Sequence, residues 1–402
     1  MITGSARQDR EIGADRAVRP SKGRRPKVVV AHDYLTQLGG AERVARELAA
    51  ALHAERLVTA AYDPKGTFDD FAHIEVQCSL LGKVPFLRSD PRRALPILPL
   101  VWRLIPPVEA DVVVCSSSGW AHAVRTLPGV KKVVYCHNPA RWLYQREEFL
   151  LDQNRLVRAV LAMLTPMLRR WDRKAARSAD LYIANSWSVA RRIWEAYGIR
   201  AEVMHPPVLL DPDGGQKDIT GLLPGYFLTV ARERGYKNSA AVIDAFRSLP
   251  SERLVVVGQE GDPADPPNVN RVGEVSEQEL RWLYANARAL VSVSFEDFGL
   301  TPLEANSLGT PALLLRAGGF LDSTEEGVSA VFVDSPAPEA IAQAVTSFPT
   351  EWDKAAIMKH ASKFCREAFA TKMWEVVERS MLESLRTNSR KRGLRGSVRW
   401  AS

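Results

Sequence analysis

Short apolar runs of strand length recur along the chain, and each precedes a stretch with helical periodicity. The first run, 27–31 (KVVVA), leads through Gly39 and Gly40 into the amphipathic stretch 41–52. Further runs of this kind are 111–115, 132–136, 181–184, 226–230, 254–257, 289–293, 312–315 and 330–333. Continuous β-branched runs that alternate with helices are typical of strands buried on both faces of a parallel sheet. The pattern therefore predicts an α/β protein with doubly wound parallel sheets.

The apolar runs form two series, separated by a segment rich in Pro and Gly (HPPVLLDPDGG, 205–215). Such a composition is typical of an interdomain hinge. We therefore predict two Rossmann-like domains, 27–205 and 220–370, joined by a hinge at 206–219 and followed by a helix at 371–385 that could cross back to the first domain. Ligands of open parallel sheets bind at the carboxyl ends of the strands, so two such edges would face each other across a cleft.

Charge changes this picture only at the ends of the chain. The net charge is +7, and the basic residues concentrate in the segments 1–26 and 386–402, which we expect to be solvated tails. The folded part is then slightly acidic, and it shows no nucleic-acid-binding signature, so we predict no nucleic-acid partner. Basic tails are attracted to anionic phospholipid headgroups, which makes an anionic membrane surface a candidate partner.

Cysteine spacing and hydropathy indicate the compartment. The four cysteines are far apart and form no C-x-x-C pair, which argues against a disulfide framework and against zinc. No uncharged apolar run is long enough to span a bilayer, and no secretory signal opens the chain. We expect a cytoplasmic protein, with peripheral binding to the inner face of the plasma membrane as an extension. Residues 80–107 combine apolar and basic side chains, as a membrane-facing surface would, although an ordinary helix packed on its own domain explains them equally.

A Gly-containing turn follows the run 289–293 and opens a helix. In this turn Thr301 is predicted to be the N-cap and Pro302 the first helical residue, and Gly299 allows close backbone approach. The amides of Leu300 and Thr301 would then lie at the positive end of the helix dipole. This arrangement predicts an anion site.

Two carboxylates, Glu296 and Glu304, lie eight positions apart in this segment. Glu304 could be a ligand-binding carboxylate, or it could close a capping box by bonding the amide of Thr301. Glu296 follows a predicted strand directly, where a purely structural role is harder to find. We therefore treat both as candidate site residues.

Further polar side chains follow other predicted strands. Arg232 and Lys237 follow 226–230, and they could bind a diphosphate or form a solvated loop pair. His137 follows 132–136 and could be either a packed residue or a ligand-binding one. Arg141 could hold a phosphorylated acceptor, or it could pair with a nearby glutamate, Glu147 or Glu148. No dinucleotide fingerprint or P-loop occurs, and we predict no metal and no cofactor beyond a co-substrate.

Taken in order, these motifs resemble those of retaining glycosyltransferases of family 4, which have the GT-B fold. The resemblance spans roughly 27–385 and is nearest to bacterial mannosyltransferases that build surface polysaccharide. It rests on Gly39-Gly40-Ala-Glu42, His137-Asn-Pro-Ala-Arg141, Asn185-Ser186, Arg232 with Lys237, and Glu296 with Glu304 around Phe-Gly-Leu.

The resemblance implies a role for each candidate residue. It makes His137 and Glu296 the catalytic pair, in contact with the transferred sugar, and Arg141 an acceptor contact. It assigns donor binding to Gly39, Gly40, Arg232, Lys237, Gly299, Leu300, Thr301 and Glu304, the last of these at the ribose.

The implied activity is transfer of a hexose, with retention and without a metal, from a nucleotide-diphosphate sugar to a glycan or polyprenyl-lipid-linked acceptor in cell-surface polysaccharide biosynthesis. GDP-mannose is the first expectation for the donor, and a UDP-hexose is the alternative. A different class of function also stays open at this point: a non-catalytic nucleotide-sugar-binding protein, or a membrane-associated scaffold.

Overall fold

Two α/β lobes, each built on a parallel sheet, make up the protein. The computed structural model describes residues 24–80, 84, 88, 97–145, 155–230 and 237–396. Every strand pairing between the named strands is parallel. The predicted fold class, two doubly wound domains, is confirmed.

The first lobe contains a seven-stranded sheet with the order β3-β2-β1-β4-β5-β6-β7. Its strands are β1 (Val28–His32), β2 (Arg56–Thr59), β3 (Glu75–Cys78), β4 (Val112–Ser117), β5 (Lys131–Cys136), β6 (Leu181–Ala184) and β7 (Glu202–Val203). The strand order reverses between β1 and β4, and a ligand crevice forms at the carboxyl ends of strands at such a switch point.

The second lobe contains a six-stranded sheet with the order β10-β9-β8-β11-β12-β13. Its strands are β8 (Tyr226–Val230), β9 (Leu254–Val257), β10 (Val269–Arg271), β11 (Ala287–Ser292), β12 (Ala312–Leu315) and β13 (Ala330–Val333). The reversal here lies between β8 and β11. Lys237 follows β8 and Glu296 follows β11, so the switch point brings these two segments together.

Helices cover both faces of each sheet. They are α1 (Gly40–Ala51), α2 (Leu98–Leu104), α3 (Arg141–Tyr144), α4 (Arg155–Ala176), α5 (Trp187–Tyr197), α6 (Ser239–Arg247), α7 (Glu277–Asn286), α8 (Leu300–Ser307), α9 (Phe320–Ser323), α10 (Pro338–Thr346), α11 (Lys354–Ala361) and α12 (Arg366–Gly396). Separate hydrophobic clusters lie on the two faces of each sheet, which explains why the strands read as continuous apolar runs.

The last helix, α12, returns to the first lobe. Its residues Phe369, Met373 and Val377 pack in one cluster with Val44 and Leu48 of α1. The helix begins at Arg366, before the predicted start, and it continues through 386–396, where the sequence predicts a solvated tail. A helix already nucleated by packing is extended at little cost per residue.

Two chain crossings lie side by side between the lobes. The Val208 N–H donates to the carbonyl oxygen of Phe364 (2.8 Å), and the Arg366 guanidinium donates to the carbonyl oxygen of Leu209 (2.6 Å). The segment that leaves the first lobe is therefore bonded to the segment that returns to it. Any hinge motion at this point has to involve both crossings.

Several predicted features fall outside the described residues: 1–23, 81–83, 85–87, 89–96, Glu147, Glu148, Arg232 and 397–402. Within 80–107 the structure describes α2, whose Leu98 and Trp102 are buried in the first lobe while Leu100 and Leu104 are exposed. One face of this helix thus packs on its own domain, and the opposite face is apolar and uncovered.

Candidate active site

A row of three buried polar side chains crosses the carboxyl edge of the first sheet. His32 ends β1, Ser116 lies in β4, and His137 follows β5. The Ser116 Oγ is 3.0 Å from His32 Nδ1 and 2.8 Å from His137 Nε2. Burial, together with the neighbouring His32, lowers the pKa of His137 to about 3. The His137 imidazole is therefore neutral at neutral pH. His32 and Ser116 were missed from the sequence, because their link to His137 depends on strand order.

The Gly39-Gly40 loop lies beside the second lobe. A Cβ on Gly40 would be 3.4 Å from Leu300 Cδ1, and a Cβ on Gly39 would be 2.1 Å from Glu42 Oε2. Glu42 is buried, and burial raises the pKa of its carboxyl group. Its other oxygen, Oε1, accepts a hydrogen bond from Gln37 (2.8 Å). A side chain at position 39 would therefore displace the carboxyl end of Glu42, a contact that the sequence pattern does not reveal.

The anion-site helix α8 begins two residues earlier than the sequence predicts. Its N-cap is Gly299, with φ +93°, so the prediction of Thr301 as the N-cap is wrong. Only glycine adopts this left-handed conformation readily, and a Cβ there would be 2.6 Å from Phe320 Cδ1. Leu300 and Thr301 are the first two helical residues, and the amides of a first turn have no partner within the helix. The anion-site prediction keeps its physical basis, although the cap residue differs.

Glu304 does not close a capping box. Its Oε1 accepts from the Arg43 guanidinium at 2.5 Å, and its Oε2 accepts from the Tyr284 hydroxyl at 3.2 Å. Glu304 is buried, and Arg43 belongs to α1 of the first lobe, so this ion pair joins the two lobes. Each carboxylate oxygen has two acceptor positions, so the pair leaves Glu304 capacity for a further hydrogen bond. Arg43 was missed because it lies 261 residues from Glu304 along the chain.

Lys237 and Glu296 meet, although the sequence predicts separate roles for them. The Lys237 ammonium donates to Glu296 Oε1, and the Ser294 hydroxyl donates to the same oxygen at 2.9 Å. Both side chains of the ion pair are mostly buried. An ammonium and a carboxylate are thus held together where the chain leads into α8. Arg232, the predicted partner of Lys237, lies outside the described residues.

Asp297 joins the second lobe to two arginines of the first. Its Oδ2 accepts from Arg141 at 2.6 Å, and its Oδ1 accepts from Arg192 at 2.5 Å. Arg192 also donates to Asn138 Oδ1 at 3.1 Å. Sequence reasoning singled out Arg141 but missed Asp297, Arg192 and Asn138, because no local pattern connects them.

The residues that the structure describes contain neither a candidate metal site nor a membrane-spanning helix. Among the residues that the structure describes, no group of three or more His, Cys, Asp or Glu side chains could hold a metal ion. No helix within the same residues combines the length and the hydropathy that crossing a bilayer requires.

Family models match both lobes. Residues 38–211 match the model for Glycosyltransferase Family 4, and residues 222–363 match the model for Glycosyl transferases group 1. Together the two matches cover most of the chain and correspond to the two lobes.

Among curated proteins, the human Alpha-1,3/1,6-mannosyltransferase ALG2 is 25% identical over an alignment 415 residues long, gaps included, that covers 89% of this chain and 97% of that protein. Among solved structures, Anabaena Alr3699/HepE in complex with UDP and glucose has a TM-score of 0.62 at 17% identity, covering 87% of this chain and 99% of the other. The sucrose-phosphate synthase of Thermosynechococcus elongatus has a TM-score of 0.63 at 15% identity, covering 88% and 98%. The order of the motifs, the two facing sheets and these matches agree, and the chain therefore belongs to glycosyltransferase family 4 and has the GT-B fold.

Proposed function

We propose that this glycosyltransferase moves mannose from GDP-mannose, with retention of the anomeric configuration, to a hydroxyl of a glycan or polyprenyl-linked glycan in cell-surface polysaccharide synthesis. One observation carries the proposal: the Lys237–Glu296 pair and the start of α8 lie on the lobe opposite the His32–Ser116–His137 row, and the Gly40–Leu300 contact closes the gap between the lobes. Cations, helix-start amides and a neutral imidazole in one cleft are suited to a diphosphate with a sugar attached.

The diphosphate would be bound by Lys237, by Arg232 and by the amides of Leu300 and Thr301. A departing diphosphate gains negative charge, so each of these donors bonds more strongly as the glycosidic bond breaks. Without a ligand, the ammonium of Lys237 is neutralised by Glu296. The phosphate would take over this ammonium and release the carboxylate toward the sugar.

The sugar would lie between Glu296 and His137. Because the lowered pKa of His137 keeps its imidazole neutral, the ring can exchange hydrogen bonds with sugar hydroxyls without repelling the positive charge that develops on the anomeric carbon. Glu296, which is negative, would stabilise the same charge. The ribose would bond to Glu304, whose position is fixed by Arg43 and Tyr284.

The transfer step would need no protein nucleophile. The bond between the anomeric carbon and the phosphate oxygen breaks, and its electron pair goes to the diphosphate. The acceptor oxygen bonds to the anomeric carbon on the same face, and its proton passes to the leaving phosphate oxygen. Closure of the two lobes would exclude water and so favour transfer over hydrolysis.

The choice of mannose rests on the relatives. The full-length match to a mannosyltransferase supports GDP-mannose. A UDP-hexose is the second candidate, because a protein of the same fold, Anabaena Alr3699/HepE, is described in complex with UDP and glucose.

The acceptor side of the proposal rests on exposed apolar side chains of two helices of the first lobe. Leu100 and Leu104 of α2, and Met163 and Met167 of α4, are more than half exposed. Arg158 of α4 is exposed as well and carries a positive charge. Both features favour contact with an anionic leaflet that carries a lipid-linked acceptor, so we propose a cytoplasmic protein that binds the inner face of the plasma membrane. Arg141 would contact the acceptor.

A panel of nucleotide sugars tests the function. GDP-mannose should raise the melting temperature and, with a polyprenyl-linked glycan acceptor, release GDP, and NMR of the product should show the donor's anomeric configuration. Faster release from a UDP-hexose would make that sugar the donor. If a nucleotide sugar binds but its sugar is not transferred to the glycan acceptor, the result would contradict the proposed enzymatic activity and would favour a nucleotide-sugar-binding protein.

A further inference from the structure

One arginine of the first lobe contacts the residues on both sides of Glu296. The Arg192 guanidinium donates to Asp297 Oδ1 (2.5 Å) and lies over the ring of Phe295, 5.3 Å from its centroid. Asp297 and Phe295 are the two chain neighbours of Glu296. Arg192 belongs to the middle of α5, in the other lobe, so this contact crosses the cleft.

The same guanidinium nitrogen also contacts the chain neighbour of His137. Nη1 of Arg192 donates to Asn138 Oδ1 at 3.1 Å. One nitrogen therefore connects the residue after His137 with the residue after Glu296. His137 and Glu296 are the two candidate catalytic residues, and they lie on different lobes.

The loop that carries Glu296 and Asp297 couples the positions of these two residues. Its backbone is packed against a pair of glycines: a Cβ on Gly319 would be 2.2 Å from Phe298 Cα, and a Cβ on Gly318 would be 2.4 Å from the Glu296 carbonyl oxygen. That carbonyl oxygen also accepts from the Gly319 N–H at 2.9 Å. A loop held this tightly moves as a unit, so fixing Asp297 fixes Glu296 as well.

The ion pairs that hold Asp297 are partly buried. The exposed fraction of the side chain is 11% for Arg192, 19% for Asp297 and 30% for Arg141. Ion pairs this far from water are only weakly screened by salt, and two forked guanidinium groups on one carboxylate fix its direction. If the cleft opened, the carboxylate would leave both arginines, so the full set of contacts exists only in the closed arrangement.

We propose that the Arg192–Asp297 ion pair is a positioning device, which forms on closure of the cleft and aligns His137 with Glu296. Arg192 and Asp297 are positioning residues, because neither is assigned a contact with the substrate. The inference deepens the proposed function and rests on it for the identity of the aligned groups. The ion pair itself requires only the two lobes.

Removing either partner should lower turnover more than binding. We expect Arg192→Gln and Asp297→Asn each to reduce kcat by about tenfold, with the Kd of GDP changed by less than about threefold, since the pair does not hold the diphosphate. The double variant should be about as slow as Asp297→Asn alone, because Arg192 has already lost its carboxylate partner in that variant, whereas Arg192→Gln alone leaves Asp297 paired with Arg141. Arg192→Lys, which keeps the charge but loses the planar guanidinium over the ring of Phe295, should fall in between.

Arg191→Gln is the matched control. Arg191 is the next residue of α5, is 71% exposed and pairs with Glu195 within its own helix, so this variant should keep the wild-type kcat. Small-angle scattering of the free proteins gives a readout that is independent of activity: Asp297→Asn and Arg192→Gln should raise the radius of gyration, and Arg191→Gln should not.

Wild-type kcat in a folded Asp297→Asn variant would overturn the proposal, and so would a double variant whose loss is the product of the two single losses. If no nucleotide sugar gives turnover, the proposed function fails. Small-angle scattering then still tests the ion pair. If Asp297→Asn and Arg192→Gln both fold and both keep the wild-type radius of gyration, that result alone would overturn the positioning device. If one variant does not fold, Arg192→Lys carries the comparison with Arg191→Gln.

Discussion

Replacing Lys237 by Met tests whether the diphosphate is neutralised where we propose. Methionine keeps the apolar stem of the side chain and removes the ammonium. A hydrogen bond from a charged donor contributes about 1.5–3 kcal/mol. Each 1.36 kcal/mol of transition-state stabilisation corresponds to a factor of ten in rate, so the lost bond alone should reduce kcat/KM by about ten- to a hundredfold.

The structure places the expected loss toward the upper end of that range. Glu296 now pairs with Lys237 and is mostly buried. In the variant this carboxylate would face the diphosphate without its counter-ion, and repulsion would add to the loss. We therefore expect a decrease of about a hundredfold in kcat/KM, measured as GDP release from GDP-mannose in the presence of acceptor.

Stability should fall only moderately in this variant. Glu296, with 17% of its side chain exposed, loses its counter-ion but keeps the hydrogen bond from the Ser294 hydroxyl, so the free energy of unfolding should fall by about 1–3 kcal/mol. Lys217→Met is the matched control, because Lys217 also pairs with a glutamate of the second lobe, Glu279, but is exposed. A Lys237→Met enzyme whose kcat/KM stays within about threefold of wild type would refute the assignment of the diphosphate site.

Other predictions follow from single positions. Gly299→Ala should destabilise the protein by about 2–5 kcal/mol, because of left-handed backbone strain and the clash with Phe320. Gly129→Ala, at φ +92° with open space around it, should destabilise the protein by only about 1–2 kcal/mol. Equal urea midpoints for the two variants would contradict this difference. The pKa of His137 is about 3 in the folded chain, against an ordinary value of 6.5, so between these values the unfolded chain binds more protons and stability is lost as the pH falls below 6.5. The melting temperature should therefore fall less steeply from pH 7 to pH 5 in His137→Gln than in wild type, and parallel curves would be the contrary result. A chelator such as EDTA should leave the transfer rate unchanged, because amides and cations replace the metal, and restoration of a lost rate by Mg²⁺ would contradict that expectation.

The predicted strands are those buried on both faces. Runs such as 226–230, 254–257 and 312–315 are strands with the same bounds in the structure, because a strand covered by helices on both faces needs an apolar residue at every position. Three missed strands, β3, β7 and β10, lie at sheet edges and are only partly buried, whereas the missed strand β2 is interior but has only three buried residues. An edge strand needs no continuous apolar run, and hydropathy reveals one only where such a run occurs, as in β13.

Local reasoning about helix α8 was correct about its existence and wrong about its cap. Thr301 and Pro302 form a plausible N-terminal pattern, but Phe320 fills the space beside Gly299 and the backbone there is left-handed. The position of the cap was decided by a residue from another helix. The local sequence around Gly299 does not reveal the contact with Phe320, which lies in a different helix.

The amino-acid sequence by itself determined two parallel α/β domains, the strand ends that carry polar residues, and the family. Each of these depends on periodicity or on spacing along the chain. Only the tertiary structure decided that Glu304 pairs with Arg43, that Glu296 pairs with Lys237, and that Arg192 connects the neighbours of His137 and Glu296. The partners in these pairs are separated by tens to hundreds of residues, and they meet because strand order, not sequence order, sets which loops share an edge and how the two edges face each other.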